Sequence, residues 1–376
     1  MVLSSIPTYF LTAFQPQKWM IKQIDKLRRG FLWKGTEQAN GGHCLVQWKK
    51  VQRPKKLGGM GVLDLERFSR ALRLRWLWFE WNDADRPWVG GNIPVTETDK
   101  QLFRASTTVT VGNGRTSKFW EATWLNGQAP RDIAPRLYKL AWRKHLTVQE
   151  QMENMKWTRG LWRMTSEEEM IKFLVLWDLV ESVELTPEDD KIIWKWTSHG
   201  DYTAKSAYEI QFRGSFCSFR PTAIWRAHAE GKHRFFAWLL VQEKLLTADK
   251  LMARNWPFNL TCSLCSAQPE CAQHLCLHCP FAMQVWELVR EWTNAKINVP
   301  VQDASIQDWW CDTLACHSVK EQRHVAAILM YTAWNIWKER NRRIFEGKSA
   351  EPRVVLQLIK EEVLLRVRAC GAPFAA

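Results

Sequence analysis

The chain has 376 residues, 46% of them hydrophobic and 24 of them tryptophan, with a formal net charge of +14. That length predicts two or three domains with a real core, and the tryptophans exclude a largely disordered chain, since each indole must be packed or used in a contact. No run approaches ~18 apolar residues, so no helical membrane span is expected, and the apolar stretch 2–14 lacks a basic leader and contains Pro7, which argues against a secretory signal.

The first helix is expected over 16–35, where Pro16 suits a first turn and Met20, Ile24, Leu27 and Phe31 recur at helical spacing. Lys22, Lys26 and Arg29 form a basic stripe beside that apolar one. Residues 41–61 read as a loop, with Gly41-Gly42, Pro54 and Gly58-Gly-Met-Gly61. No strand–turn–helix with Lys-Ser/Thr follows those glycines, so they are not a phosphate loop. A second helix is expected over 64–82, with Leu65, Phe68, Leu72, Trp76 and Phe79 inward and Arg67, Arg70, Arg73 and Arg75 on the rest of its surface. Residues 1–80 hold 15 Lys/Arg against 5 Asp/Glu, a net +10. A basic end on a globular chain points to a polyanion, most often RNA or DNA, and Lys22, Lys26, Arg29, Arg70 and Arg73 are the candidate phosphate contacts.

Residues 107–125 read as a β-hairpin, with Thr108–Val111 as a strand and Gly112-Asn113-Gly114 as its turn. An acidic helix is expected over 167–184, opened by Glu167-Glu168-Glu169 and burying Met170, Phe173, Trp177 and Val180. Glu188-Asp189-Asp190 reads as a solvated loop before an extended segment from Ile192. Gly200 then marks a turn and Thr203 a helix start. Two short helices over 233–255 break near Thr247. A helix opens at Pro280 with Phe281, Val285, Leu288 and Trp292 inward, residues 297–310 read as loop, and two helices, 319–346 and 351–369, close the chain. The fold class expected is mainly α with small β elements: a multi-part helical chain containing a zinc knuckle-like module.

Five of the ten cysteines lie between 262 and 279. In a chain with no secretory signal such a cluster reads as metal ligation rather than as disulfides, and implies an intracellular, unsecreted protein. Cys262-x2-Cys265 has knuckle spacing, which lets two thiolates meet one Zn²⁺. Spacing alone leaves the second pair open among His274 with Cys279, Cys276 with Cys279, and His274 with His278. Each choice gives four protein ligands and no open position, hence a structural ion rather than a Lewis acid. His43, Cys44, Cys311, Cys316 and His317 have no partners at ligand spacing.

A set of ordered motifs resembles the plant LINE-type (non-LTR) retrotransposon reverse transcriptases downstream of their polymerase core. They are Ile6–Phe10, Ile24–Trp33, Gly58–Asp64, Val111-Gly-Asn-Gly-Arg-Thr-Ser-Lys-Phe-Trp120, Trp194-Lys-Trp196, Gly200-Asp-Tyr202, Ser206-Ala-Tyr208, Phe235-Phe-Ala-Trp238, Leu246–Asp249, Val285-Trp286 and Trp337-Lys-Glu-Arg-Asn341 with Phe345. The resemblance implies four parts: a thumb-like basic helical region (1–100), a connecting region (101–200), a reverse transcriptase zinc-binding domain (201–295) and C-terminal helices (296–376). It favours Cys262, Cys265, His274 and Cys279 as the zinc ligands, with Cys276 in a place that is usually apolar. Glu121 stands where the family often has Asp. The family's polymerase holds Mg²⁺ on a Tyr-x-Asp-Asp turn, which this sequence lacks.

The expectation is therefore a non-catalytic, zinc- and nucleic-acid-binding fragment of a retrotransposon reverse transcriptase, with Met1 as an internal methionine of a longer polyprotein. It has no membrane partner and no small-molecule substrate. The alternatives are polymerase activity only within an intact element, or a protein-interaction module or inert remnant using the tryptophan-rich middle (157–197). Trp256 and Phe258 are candidate stacking rings beside the knuckle, or its packing.

Overall fold

Helical periodicity dominates the sequence, and the architecture is accordingly mainly helical with, among the described residues, one two-stranded sheet. The structure, a computed structural model, describes residues 8–37, 44–83, 85–89 and 91–371. Gly41, Gly42 and His43 lie outside the described residues. The chain divides into two units, residues 1–24 with 64–213 and residues 25–63 with 214–376. Among the described residues no helix is long and apolar enough to cross a membrane.

The first helix, α1 (Lys18–Lys34), forms where the spacing predicts, but its apolar stripe is not what it buries. Met20, Leu27 and Phe31 are 42%, 38% and 49% exposed. The buried positions are Arg28 and Gly30. Arg28 is paired with Asp25 at 2.8 Å and donates to the Leu63 carbonyl, and a Cβ on Gly30 would strike the backbone of Thr36 and Glu37. Backbone packing at a glycine and one satisfied ion pair therefore set the inward face.

In the first unit, α2 (Leu65–Asn82) is capped by the Asp64 carboxylate, which accepts from the amides of Glu66 and Arg67. It buries Leu65, Ala71, Leu72, Leu74 and Trp78. Helix α3 (Glu97–Ser106) opens on a Thr96–Asp99 capping box. It runs into β1 (Thr107–Thr110), which pairs antiparallel with β2 (Lys191–Trp194), Thr107 opposite Trp194 and Thr110 opposite Lys191. The expected hairpin over 107–125 is thus replaced by a long-range pairing. The loop after β1 spends its amides on Asp190, just before β2, and Phe119, Trp120 and Trp124 pack with Trp157 in a separate aromatic core. The acidic helix α4 (Glu167–Glu181) has a Ser166–Glu169 capping box and buries Leu176 and Val180, while Met170 is exposed. Helix α5 (Ala204–Ile210), capped by Thr203, packs on α2.

The second unit holds α6 (Gly231–Val241), α7 (Ala248–Met252), α8 (Pro280–Trp292), α9 (Ile306–Ala315), α10 (Val319–Phe345) and α11 (Pro352–Cys370). Helix α9, capped by Ser305, begins inside the stretch read as loop and buries Trp309 and Trp310. The core is built on α6, α8 and α10, and Trp238 donates to the Gly58 carbonyl at 2.8 Å. On α8 the buried stripe is Phe281, Val285, Trp286 and Val289, one step round from the expected Leu288 and Trp292.

Candidate metal centre

Cys262 and Cys265 sit on a tight turn. Cys262 donates its amide to the Gln268 carbonyl, the Ser266 amide returns to Cys262, and Ser266 takes a left-handed conformation with φ 55°. The other two side chains bracket a single π-helical turn, His274–His278, which directly precedes α8. Such turns hold a wider ring than an α-helix and are frequent at functional sites. The Cys279 amide closes this one onto the His274 carbonyl at 2.7 Å, and Cys279 becomes the N-cap residue of α8.

The result brings the Sγ atoms of Cys262, Cys265 and Cys279 and an imidazole nitrogen of His274 within 4.8 Å of one another. Cys262 Sγ lies 3.9 Å from Cys279 Sγ, and Cys265 Sγ lies 3.4 Å from His274 Nε2. A tetrahedral Zn²⁺ with Zn–S ~2.3 Å and Zn–N ~2.05 Å demands edges of about 3.8 and about 3.6 Å, so the donor set fits. Backbone amides complete it. Those of Leu264 and Cys265 address Cys262, those of Ala267 and Gln268 address Cys265, and those of Phe281 and Ala282, at the start of α8, address Cys279. Amide donors and a helix N-terminus both favour thiolate over thiol.

The electrostatics follow from this crowding. The thiol of Cys262 is held down to about 3, chiefly by the hydrogen bond from Cys279, with His274 adding to it. That same bond pushes Cys279 up. His274 is raised, first by its bond to Cys262 and further by Cys265. The opposed shifts follow from three sulfurs and one ring nitrogen brought close enough to compete for the same protons.

Cys276 and His278 lie outside this group. Cys276 is fully buried, and burial drives its thiol well above the ordinary range. His278 Nε2 is buried without a hydrogen-bond partner. Cys271 accepts the His274 amide at 3.4 Å.

Sequence reasoning missed the residues that brace the site. Glu270 and Arg340 are 1% and 2% exposed and form a buried fork, with Nη2 to Oε1 at 2.7 Å. Glu270 also accepts the Ala248 amide at 2.9 Å and so caps α7, whose N-cap residue Thr247 makes no side-chain cap bond of its own. Arg343 donates to the Ser263 and Leu264 carbonyls inside the knuckle and lies over the Phe281 ring. Buried Glu339 gathers Arg342, Arg343 and the Ala350 amide. The signal was the Trp337-Lys-Glu-Arg-Asn341 motif itself, whose Glu339 and Arg340 fall on a buried helix face.

The candidate phosphate contacts separate into two kinds. Lys22 and Lys26 are exposed, one turn apart on α1, and Arg29 is half-buried with Nε on the Asp25 carbonyl. Arg70 instead faces Asp99 at 3.3 Å and Gln211 at 3.1 Å. Arg73 is buried, forked onto Asp99 at 3.0 and 3.1 Å, and is a core ion pair rather than a surface cation. Trp256 is 53% exposed, and Phe258 lies beneath Arg340. Asp190 is not the solvated acid its loop suggested, since four backbone amides and a hydroxyl converge on it.

A family profile described as zinc-binding in reverse transcriptase matches residues 202–286, which include all four clustered donors. A curated protein of Arabidopsis thaliana, named provisionally as a ribonuclease H protein, is 23% identical over 401 aligned positions. The match covers 96% of this chain and 62% of the Arabidopsis protein, so the chain spans less than two thirds of that relative's length. No solved structure gives a significant match.

Proposed function

We propose that this chain is a zinc-stabilised, nucleic-acid-binding part of a LINE-type retrotransposon reverse transcriptase, without polymerase chemistry of its own. The observation that carries the reading is the convergence of three thiols and one imidazole inside the segment that matches the reverse transcriptase zinc-binding profile. Cys262, Cys265, His274 and Cys279 would hold the ion. Bound there, it would supply cross-linking of the knuckle to α8 rather than Lewis acidity, because all four positions are protein atoms.

The nucleic-acid part of the reading is supported by the net +10 of residues 1–80 and by exposed Lys22 and Lys26, with Arg29 beside them. Two measurements test it. Metal analysis of the purified chain should find one zinc per molecule, lost in Cys265→Ala. Filter binding should show affinity for RNA or DNA that falls linearly on a log–log plot against salt, with a shallower slope in Lys22→Ala/Lys26→Ala by roughly 0.7–0.9 per lost phosphate contact. Salt-insensitive binding, or none, would falsify the nucleic-acid part. Nucleotide incorporation or RNA cleavage in Mg²⁺ by the purified chain would overturn the non-catalytic part.

A further inference from the structure

The second unit carries, apart from the metal centre, a cavity of about 100 Å³ with basic side chains in its lining. His324, Ile328 and Tyr331 line it from α10, Val363 and Arg366 from α11, and His228 from the turn before α6. The first three and the next two each fall at the spacing of one helix face.

The charge around this cavity does not balance. Arg234 on α6 and Arg323 on α10 lie within electrostatic reach of His228, as do His324 and Arg366. Burial and then these four like charges hold the His228 imidazole below its ordinary range, and burial followed by Arg366 holds Arg234 down likewise. The acids close by are committed elsewhere. Glu230 accepts the Tyr331 hydroxyl at 2.8 Å and faces His233 at 2.8 Å, while Glu362 serves Lys338 and Asn335. Two nitrogens are left over, because His228 Nδ1 and Arg234 Nε are buried with no hydrogen-bond partner. Arg366 and the imidazoles of His228 and His324 thus line the pocket, with Arg234 and Arg323 within electrostatic reach, and the two carboxylates close by are already occupied. Like charges held together out of water are unfavourable unless an anion joins them.

We propose that this cavity binds a phosphate group, with Arg366, His228 and His324 as its donors. The volume accommodates about one tetrahedral oxyanion, a few water volumes in size. Guanidinium forks match phosphate oxygens two at a time, which selects phosphate over a spherical halide. The site is independent of α1 and of the metal, so it stands whether or not Lys22 and Lys26 bind nucleic acid. The phosphate can belong to a nucleic-acid backbone or be a free anion.

The test uses the full-length zinc-loaded chain with its histidines labelled at the Cε1 carbon, titrated with inorganic phosphate at constant ionic strength against chloride. The His228 and His324 resonances, identified from His228→Gln and His324→Gln, should move saturably with phosphate and not with chloride. Arg366→Ala should weaken the apparent affinity by about tenfold or more, the loss expected for one charge-assisted contact, and Arg366→Lys should recover part of it. An unlabelled oligonucleotide that displaces inorganic phosphate identifies a nucleic-acid backbone as the source; failure to displace it identifies the free anion. Resonances that do not respond in the wild-type chain, or a response untouched by Arg366→Ala, overturn the proposal.

Discussion

Glu270 and Arg340 stand 70 positions apart in the chain and meet with both charges out of water. Neither can lose its partner cheaply, because a single charge left in that environment has lost its solvation without compensation. Arg340→Ala or Glu270→Ala should therefore cost about 3–5 kcal/mol in urea unfolding, whereas Arg290→Ala on the exposed side of α8 should cost under about 0.5 kcal/mol. A Glu270→Ala cost no larger than that surface control would show that the pair is not a structural brace. The clustered donors make a second, sharper contrast. Cys279→Ala should abolish stoichiometric zinc, and Cys276→Ala should retain it, since Cys276 is a fully buried thiol outside the four-donor group. Metal analysis of the two variants decides this, and zinc lost from both or kept by both would remove the distinction. The knuckle pair was legible because cysteine spacing encodes the turn directly. The fourth donor of the cluster was not, because three donor pairs fit the spacing and only the π-helical turn aims one of them. Glu270 was hidden for a different reason. It looks like any loop acid until its partner, far downstream on α10, is in place.

At the scale of the element, the loop Gly112–Ser117 shows how a glycine motif came to be read as the wrong structure. A Cβ at Gly112 would come within 2.1 Å of the Glu188 carbonyl, and Gly114 has φ +70°. Both positions demand glycine, as a hairpin turn would, but they serve to wrap the backbone around Asp190. Its carboxylate accepts from the amides of Gly112, Gly114, Thr116 and Ser117 and from the Ser117 hydroxyl, at 2.8–3.1 Å. Local sequence cannot distinguish a turn that closes on itself from one that closes on a residue 78 positions away. This anchor places β2 beside β1 and predicts a pH dependence. Burial tends to raise Asp190, but the hydrogen bonds from Ser117, Gly112 and Gly114 outweigh it, and its carboxyl lies below the ordinary range. A carboxylate depressed on folding stabilises above its unfolded value and loses that stabilisation as pH falls through the folded one. The first unit should thus weaken as pH drops below about 4. Asp190→Asn should be destabilised by about 1–2 kcal/mol at neutral pH, the low end because the site is half open to water, and should lose part of the acid slope. Unfolding followed from pH 7 to pH 3 checks both. An unchanged slope in the variant would remove Asp190 as its source.

Across the whole molecule, the two units have separate hydrophobic cores, and this decides where metal removal is felt. The sequence showed the helices clearly but not this partition, because each unit is assembled from two stretches and the division falls inside the continuous helix α1. Periodicity reports which face of a helix is apolar, and carries no information about which distant stretch covers it. The donor residues Cys262 and Cys279 belong to the large core that also holds Trp238, Leu275, Val285, Trp286 and Leu329. The cores around Trp120, Trp157 and Trp194 contain none of the donors. If the ion ties the knuckle to α8, its removal releases backbone that the second unit's core depends on, since the folding of such small loops is coupled to metal binding. Chelation of the purified chain should accordingly raise amide hydrogen exchange in residues 245–292 first, while the amides of β1, β2 and α4 keep their protection. Mass-resolved exchange with and without chelator measures this directly. The expected pattern is a change concentrated around the knuckle, α7 and α8, reversed by added zinc. Uniform loss of protection along the chain, or none anywhere, would mean that the four donors do not support the second unit through a bound ion.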